Sequence, residues 1–369
     1  MLGIGTKLCS ALFFTALMGV LTPVQVTAAK MKVHFIDVGQ GDATLIEFPC
    51  GTMLIDTGGE RHPKDEWVPA TYDSTAELLA YLGSVLDDGA TLDLLLLTHP
   101  HKDHTRGVQE VIDEYRPEHV VHNGQWHGSG AQDQADLVRY AKEFDEVESW
   151  YVLERTIADD SGLENGVIDP FEGCDARIRV LWGQVRRLGD KDWSYGDYSD
   201  ENNHSVVVRI DFGRASLLFT GDLEEGYSED KGGIELLLEK YEGTDLLDVD
   251  VYQVGHHGSH NGTTTELVAA MSPKYAVISA GPACERSGYS AWQHGHPRTR
   301  TIRDLQNGVQ LDRVPKEASV FPGWREDPET WTISKAIYST GWDGTVVLEA
   351  DETGAWDVTE GTPHSCLMD

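Results

Sequence analysis

Residues 94–107 read LLLLTHPHKDHTRG, and this stretch decides the fold. A run of four leucines predicts a short strand buried on both faces, because successive side chains of a strand point to opposite sides. The run stops at Thr98. His99, His101, Asp103 and His104 then follow within six residues. Histidine nitrogens and carboxylate oxygens at this density predict a metal site, with Zn²⁺ first and Mn²⁺ or Fe as alternatives. His99 and His101, separated by one residue, point the same way from an extended segment. Asp103 and His104 are adjacent, so a turn redirects one of them. That geometry serves two divalent cations, one per pair.

The neighbouring segments read as strands and helices around this knot. MKVHFIDVGQGDATLIEF (31–48) is two strands about a glycine turn that places Gln40 and Asp42. GTMLIDTGG is a third strand ending at Asp56. Residues 74–86 have helical spacing, with Ser74 as the expected N-cap and Glu77 three residues on. GVQEVIDEYRP is a second helix closed by Pro117, and residues 132–145 are a polar one. Residues from about 154 to 200 read as a loop-rich insertion around one clear strand, ARIRVLWG. SVVVRIDFG and SLLFTGD are strands joined through Gly213. DVDVYQVGHHGSHNG is a strand running into a polar turn. Residues 298–306 suggest a short helix. KAIYST and GTVVLEA read as a strand pair turned by GWDG. Blocks of strands punctuated by helices predict two packed sheets with helices outside, in one domain over residues 31–360.

The chain has 369 residues, with 29 Lys+Arg against 62 Asp+Glu, a formal net charge of -33. Such a surface repels nucleic acid over most of its area unless a local basic patch exists, and it suits salty water. RRLGDK and HPRTRTIR, with Arg298, Arg300 and Arg303, are the candidate patches. Residues 1–29 read as a signal peptide: Lys7 is their only charge, LCSALFFTALMGVLTPV follows it, and Thr27, Ala28 and Ala29 form a small-residue cleavage site. The expected location is therefore secreted or periplasmic, with no transmembrane segment after signal removal. Cys50, Cys174, Cys284 and Cys366 then allow two disulfides in three connectivities.

HPHKDH is the signature of the metallo-β-lactamase superfamily, which the chain resembles over nearly all its mature length. LIDTGG (Asp56), FTGD (Asp222) and VGHHGS (His256, His257) follow the family order. FIDVGQGDATLIEF, ENNHSVVVRIDFGRASLLFTGDLE, VDVYQVGHHGS and HGHPRTRTIRDL are similar to the extracellular lactamase-like domain of ComEC-type competence proteins. The resemblance implies an α+β fold, the four-layer αβ/βα sandwich, with a dinuclear metal site at one edge. His99 and His101 would hold one cation, Asp103 and His104 the other, and Asp222 would bridge them. The position before Gly-Ser gives the remaining ligand role to His257 and leaves His256 against substrate, although either member of the pair satisfies the pattern. His204, in NNHS, stands where many members carry a further ligand; ComEC-like sequences usually have another residue there. Asp56 is expected to hydrogen-bond a ligand histidine. Asp42, Gln40 and His296 are expected in the second layer or the substrate pocket. Arg106 stands where D-H-x-G-G would place a glycine, beside the site.

The implied activity is a secreted hydrolase using Asp103, Asp222 and His256 as catalytic groups. It acts on phosphodiester bonds, in extracellular nucleic acid or a phosphorylcholine-type ester. A carboxylic ester, lactone or β-lactam is the alternative substrate, small or polymeric. A non-catalytic, metal-containing binding protein is the alternative class. No Ser-His-Asp arrangement or phosphate-binding glycine loop is needed.

Overall fold

In the computed structural model the leucine run sits where two cores meet. The described residues are 29–59, 73–143, 148–151, 161–183, 200–227, 231–286 and 288–363. The first half of the chain lays down β1 (Lys30–Phe35), β2 (Thr44–Phe48), β3 (Gly51–Ile55), β4 (Leu94–Leu97), β5 (His119–His122) and β6 (Glu148–Tyr151). Between them lie α1 (Ser74–Val85), the single-turn α2 (Lys102–Thr105), α3 (Val108–Tyr115) and α4 (Ala131–Glu143). β4 is the leucine run. Leu94 and Leu96 point into the core between the two sheets, with Phe35, Ile55 and Phe219. Leu95 and Leu97 point the other way, onto Leu78 and Leu82 of α1 and Val108 and Val111 of α3. All four are fully buried, which contributes about 1.5–3 kcal/mol each.

The second sheet is built from β7 (Ala176–Trp182), β8 (Val207–Phe212), β9 (Ala215–Phe219), β10 (Val251–Gln253) and β11 (Tyr275–Ile278). α5 (Gly233–Lys240) and α6 (Thr265–Met271) follow β9 and β10, then α7 (Ala291–His294) and α8 (Thr299–Gly308). The ribbon β12 (Asp312–Val320) and β13 (Glu329–Lys335) stands apart as a two-stranded sheet. β14 (Ile337–Ser339) returns to the second sheet beside β11. The four-residue helix α9 (Thr340–Asp343) then carries the chain across to β15 (Val346–Asp351) and β16 (Trp356–Glu360) in the first sheet. The strand orders are β16-β15-β1-β2-β3-β4-β5-β6 and β14-β11-β10-β9-β8-β7. Ile234, Leu267, Val268, Ile302 and Leu305 from α5, α6 and α8 pack with the second sheet. The layers run helices, sheet, sheet, helices, as the sequence predicts.

Several expectations need correcting. The N-cap of α1 is Asp73, not Ser74: its carboxylate accepts the N–H groups of Thr75 and Ala76. GWDG is not a hairpin turn. β14 and β15 belong to different sheets; Gly341 lies inside α9 and Gly344 caps its end. ARIRVLWG is β7, the edge of the second sheet, rather than a strand inside an insertion. The segments 154–160 and 184–199 of that expected insertion, the RRLGDK stretch and residues 1–28 of the expected signal peptide lie outside the described residues. Among the described residues no helix is long and apolar enough to cross a membrane. Cys50, in the β2–β3 turn, is bonded to Cys174, which precedes β7, so the disulfide ties one sheet to the other. Cys284 is also disulfide-bonded.

Candidate metal centre

The histidine knot lies at one edge of the sandwich, at the ends of strands from both sheets. Asp56 directly follows β3, and its backbone has φ 56°, a left-handed conformation rare outside glycine. Its carboxylate accepts the Thr98 N–H at 2.8 Å and the Thr98 hydroxyl at 2.7 Å, which fixes the end of β4. The same carboxylate faces His104 Nδ1 at 2.7 Å. A proton on Nδ1 then leaves Nε2 free to face inward. Asp56 therefore holds His104, a histidine of the knot.

Asp222 comes from the other sheet, just after β9. Gly221 before it has φ 52°, and a Cβ there would lie 2.8 Å from Ser205 Cβ, so the turn requires glycine. Ser205 Oγ accepts the Asp222 N–H at 3.0 Å. His257 follows β10 in a tight turn where His256 and His257 have φ 50° and 52°. Its Nδ1–H donates to the Ser279 carbonyl at 2.8 Å, and Nε2 again faces inward. Left-handed backbone at Asp56, His256 and His257 concentrates strain at this edge.

Four side chains converge: one donor atom each from Asp103, His104, Asp222 and His257 lie within 4.8 Å of one another. His104 Nε2 is 3.2 Å from both His257 Nε2 and Asp222 Oδ1, and His257 Nε2 is 3.1 Å from Asp103 Oδ2. Two inward-facing imidazole nitrogens this close need a shared positive charge. Without an ion, protons supply it. Burial opposes a charge on His257, but the Asp222 and Asp103 carboxylates outweigh burial and push its pKa up to about 9. His104 is raised for the same kind of reason, burial being overcome by Asp222 and Asp56. His99 Nδ1 lies 3.2 Å from the Thr98 hydroxyl, while its Nε2 is buried with no hydrogen-bond partner, 3.8 Å from Asp222 Oδ2. Burial, then His104, keep His99 neutral. An orphaned buried nitrogen facing a carboxylate, together with this donor set, fits a divalent cation.

His101 is half-buried, its ring 4.7 Å from that of His99. His204 is buried in the single turn Glu201–His204, whose last carbonyl accepts from Asn123 Nδ2 at 3.0 Å; it is not among the four converging residues. The His256–His257 pair divides its work. His257 joins the cluster. His256 faces Glu224 Oε1 through Nδ1 at 3.1 Å and Asp222 Oδ2 through Nε2 at 3.8 Å.

The outer residues also find places. Asp42 touches no histidine directly. Its carboxylate accepts from Gln253 Nε2 and, at 3.3 Å, from Ser279 Oγ, the residue whose carbonyl holds His257. Burial pushes its pKa up to about 7. Gln40 Nε2 is 3.3 Å from His296 Nδ1, and the His296 ring stacks at 6.0 Å from that of His257. Arg106 closes α2, half-buried.

A family model for the metallo-beta-lactamase superfamily matches residues 36–281. The chain belongs to this superfamily. Among curated relatives, "ComE operon protein 3" of Bacillus subtilis is 25% identical over 80% of this chain and 34% of its own length. "Recombination protein 2" of Haemophilus influenzae is 26% identical over 70% of this chain and 25% of its own. The chain thus spans about a third or less of the length of these two relatives. Among solved structures, the metallo-beta-lactamase fold protein YhfI from Bacillus subtilis aligns with a TM-score of 0.39 and 11% identity, over 82% of this chain and 99% of that one.

Sequence reading missed the supports of this metallo-beta-lactamase-type centre. Asp133, in the first turn of α4, receives Lys102 Nζ at 2.7 Å on both carboxylate oxygens. Asp133 Oδ2 is also 2.9 Å from Thr105 Oγ1, which is 3.0 Å from the His101 carbonyl. Lys102 N–H donates to Ser129 Oγ at 3.0 Å, and Gly130 N–H to the Pro100 carbonyl at 2.8 Å. The start of α4 thus grips the metal loop. Glu224 was also missed. The expected basic patch is largely engaged: Arg300 pairs with Glu225 through both nitrogens, Arg298 is buried, and Arg303 lies over Trp331.

Proposed function

We propose that the protein is a secreted metallo-hydrolase with two divalent cations, most naturally zinc, acting on phosphodiester bonds. The observation that supports this is the convergence of Asp103, His104, Asp222 and His257 from three separate segments, with the orphaned His99 Nε2 beside them. His99 and His101 would hold one cation and Asp103, His104 and His257 the other, with Asp222 between them, as its two oxygens allow. Cations held there would supply Lewis acidity that activates water and polarises the ester oxygen under attack. The chain's own groups do the rest. Asp56 and the Ser279 carbonyl fix the ring orientations of His104 and His257. His256, oriented by Glu224, presents Nε2 toward the site and hands a proton to the leaving oxygen. His204 sits one residue before the serine that holds Asp222, and we assign it a supporting place rather than a ligand position. The N-terminal residues 1–29 direct export.

The test is metal analysis of the mature protein, with turnover of bis-p-nitrophenyl phosphate, DNA, a lactone and nitrocefin. Two metal equivalents and phosphodiester turnover that falls at least a hundredfold in Asp222→Ala are expected. Full activity in Asp222→Ala refutes the mechanism. Lactone or nitrocefin turnover alone moves the protein to carboxylic substrates, and metal without any turnover favours a binding protein.

A further inference from the structure

A cavity of about 710 Å³ opens beside the metal centre, and His256, His296 and Glu224 form its inner wall. Its outer wall includes Tyr227, Trp324 and Arg325. Trp324 is 70% exposed and Tyr227 65%, which puts two of the most exposed large apolar side chains among the described residues in one cavity.

Trp324 is not a loose surface residue. The segment that carries it is tied on both sides to the segment that carries His296. Phe321 N–H donates to the Pro297 carbonyl at 2.9 Å, Thr299 N–H to the Phe321 carbonyl at 3.0 Å, and Arg325 N–H to the Trp292 carbonyl at 3.0 Å. Arg298 adds Nη bonds to the carbonyls of Pro322, at 3.4 Å, and His294, at 3.2 Å. Gly295 has φ 69°, and a Cβ there would lie 2.4 Å from the Gly323 carbonyl oxygen, so the close approach of the two segments at that point requires glycine. A rigidly mounted, exposed indole beside a reactive centre contributes little to the core. Its use is contact with a flat, apolar guest.

The charges around the cavity select the guest. The Arg298 guanidinium, only 8% exposed, lies 5.9 Å from the Trp324 ring centroid, and Arg325 stands in the wall. The cavity carboxylate, Glu224, accepts Asn202 Nδ2 at 2.8 Å on Oε1, with His256 Nδ1 3.1 Å from the same oxygen, while its Oε2 is buried without a hydrogen-bond partner. A quaternary ammonium at the Trp324 ring would be repelled by Arg298 and Arg325. A neutral ring on an anionic ester meets no such opposition.

We propose that Trp324, with Tyr227 in the same cavity, is the stacking platform for a flat ring carried by the ester whose phosphoryl group lies at the metal centre. The ring is a nucleobase or a simple aryl group, and a trimethylammonium group is rejected. This subsite rests on the phosphodiester reading above.

The experiment measures binding by calorimetry, and turnover by chromatography, on the metal-loaded protein. The probes are thymidylyl-thymidine, diphenyl phosphate, dimethyl phosphate and glycerophosphocholine. Trp324→Ala is expected to weaken the ring-bearing probes about tenfold, as stacking on one aromatic side chain implies. Dimethyl phosphate should be unaffected, and Trp324→Phe should retain most of the binding. Loss with both ring-bearing probes means that an aryl group suffices, and loss with the dinucleotide alone means that the base is read. Equal effects on every probe, no effect, no binding by the wild type, or Trp324-dependent preference for glycerophosphocholine overturns the subsite. Trp324-dependent binding without turnover keeps the subsite and refutes the phosphodiesterase reading, so the two fail separately.

Discussion

Replacing Asp133 with alanine cuts the tie between α4 and the metal loop without touching a candidate ligand. The carboxylate holds Lys102 Nζ through two contacts of 2.7 Å and approaches Thr105 Oγ1 at 2.9 Å. The Lys102 and Asp133 side chains are 29% and 17% exposed, so water partly replaces the pair when it is broken. An exposed pair contributes about 0–1 kcal/mol, and a buried charged hydrogen bond about 1.5–3 kcal/mol. The intermediate burial places this one near 1.5 kcal/mol. Thr105 Oγ1 reaches the His101 carbonyl, so the loss falls on the segment that aims His99, His101 and Asp103. If that ordering is needed for metal binding, about 1.5 kcal/mol raises the dissociation constant roughly tenfold. The assay is competition for Zn²⁺ against a chromogenic chelator, beside urea unfolding of the metal-free protein. Asp136→Ala, on the same helix but paired with Arg139, is the control. A zinc affinity as high in Asp133→Ala as in Asp136→Ala refutes the clamp, whatever happens to stability.

Two other predictions concern the scaffold. The Cys50–Cys174 bridge closes a separation of 124 residues, so replacing both cysteines with alanine should cost about 5 kcal/mol by chain entropy. The urea midpoint measures it, and an unchanged midpoint shows that the sheets hold together without the bridge. In the metal-free protein, His257 has its pKa raised from the ordinary 6.5 to about 9, the Asp222 and Asp103 carboxylates overcoming the cost of burial. A raised histidine stabilises the fold fully below about pH 6.5 and ceases to do so as pH rises through 9. The chelator-treated protein should therefore lose stability across that window. Saturating zinc should remove the trend, and a flat profile in the chelator-treated wild type would count against the charge assigned to the cluster.

The sequence made the leucine strand and its knot legible because both signals are local. Four apolar residues in a row demand cover on two faces, and Leu94 and Leu96 do part from Leu95 and Leu97. The supports were not legible. Asp133 grips a loop about 30 residues earlier, and Asp42 meets Ser279 across 237 positions; neither spacing leaves a pattern. GWDG was misread because a glycine pair between two apolar runs signals a hairpin only when both runs share a sheet. The ribbon of β12 and β13 escaped notice because its burial is irregular and a proline interrupts it. The His256–His257 ambiguity could not be resolved from identity alone. Two left-handed residues in succession send their rings in different directions, and backbone angles are not written in residue types.

The crossing through α9 has a consequence for how the chain reaches its native state. β1, laid down first among the described strands, is flanked by β2 on one side and by β15 on the other, with Lys30 opposite Asp351. During synthesis, β1 waits through more than 300 residues with one hydrogen-bonding edge open. Such long-range pairing is slow, and an open edge invites association with other chains. Loss of the last two strands would leave residues 94–107 intact and still expose that edge, so a shortened protein should fail by aggregation before it fails by chemistry.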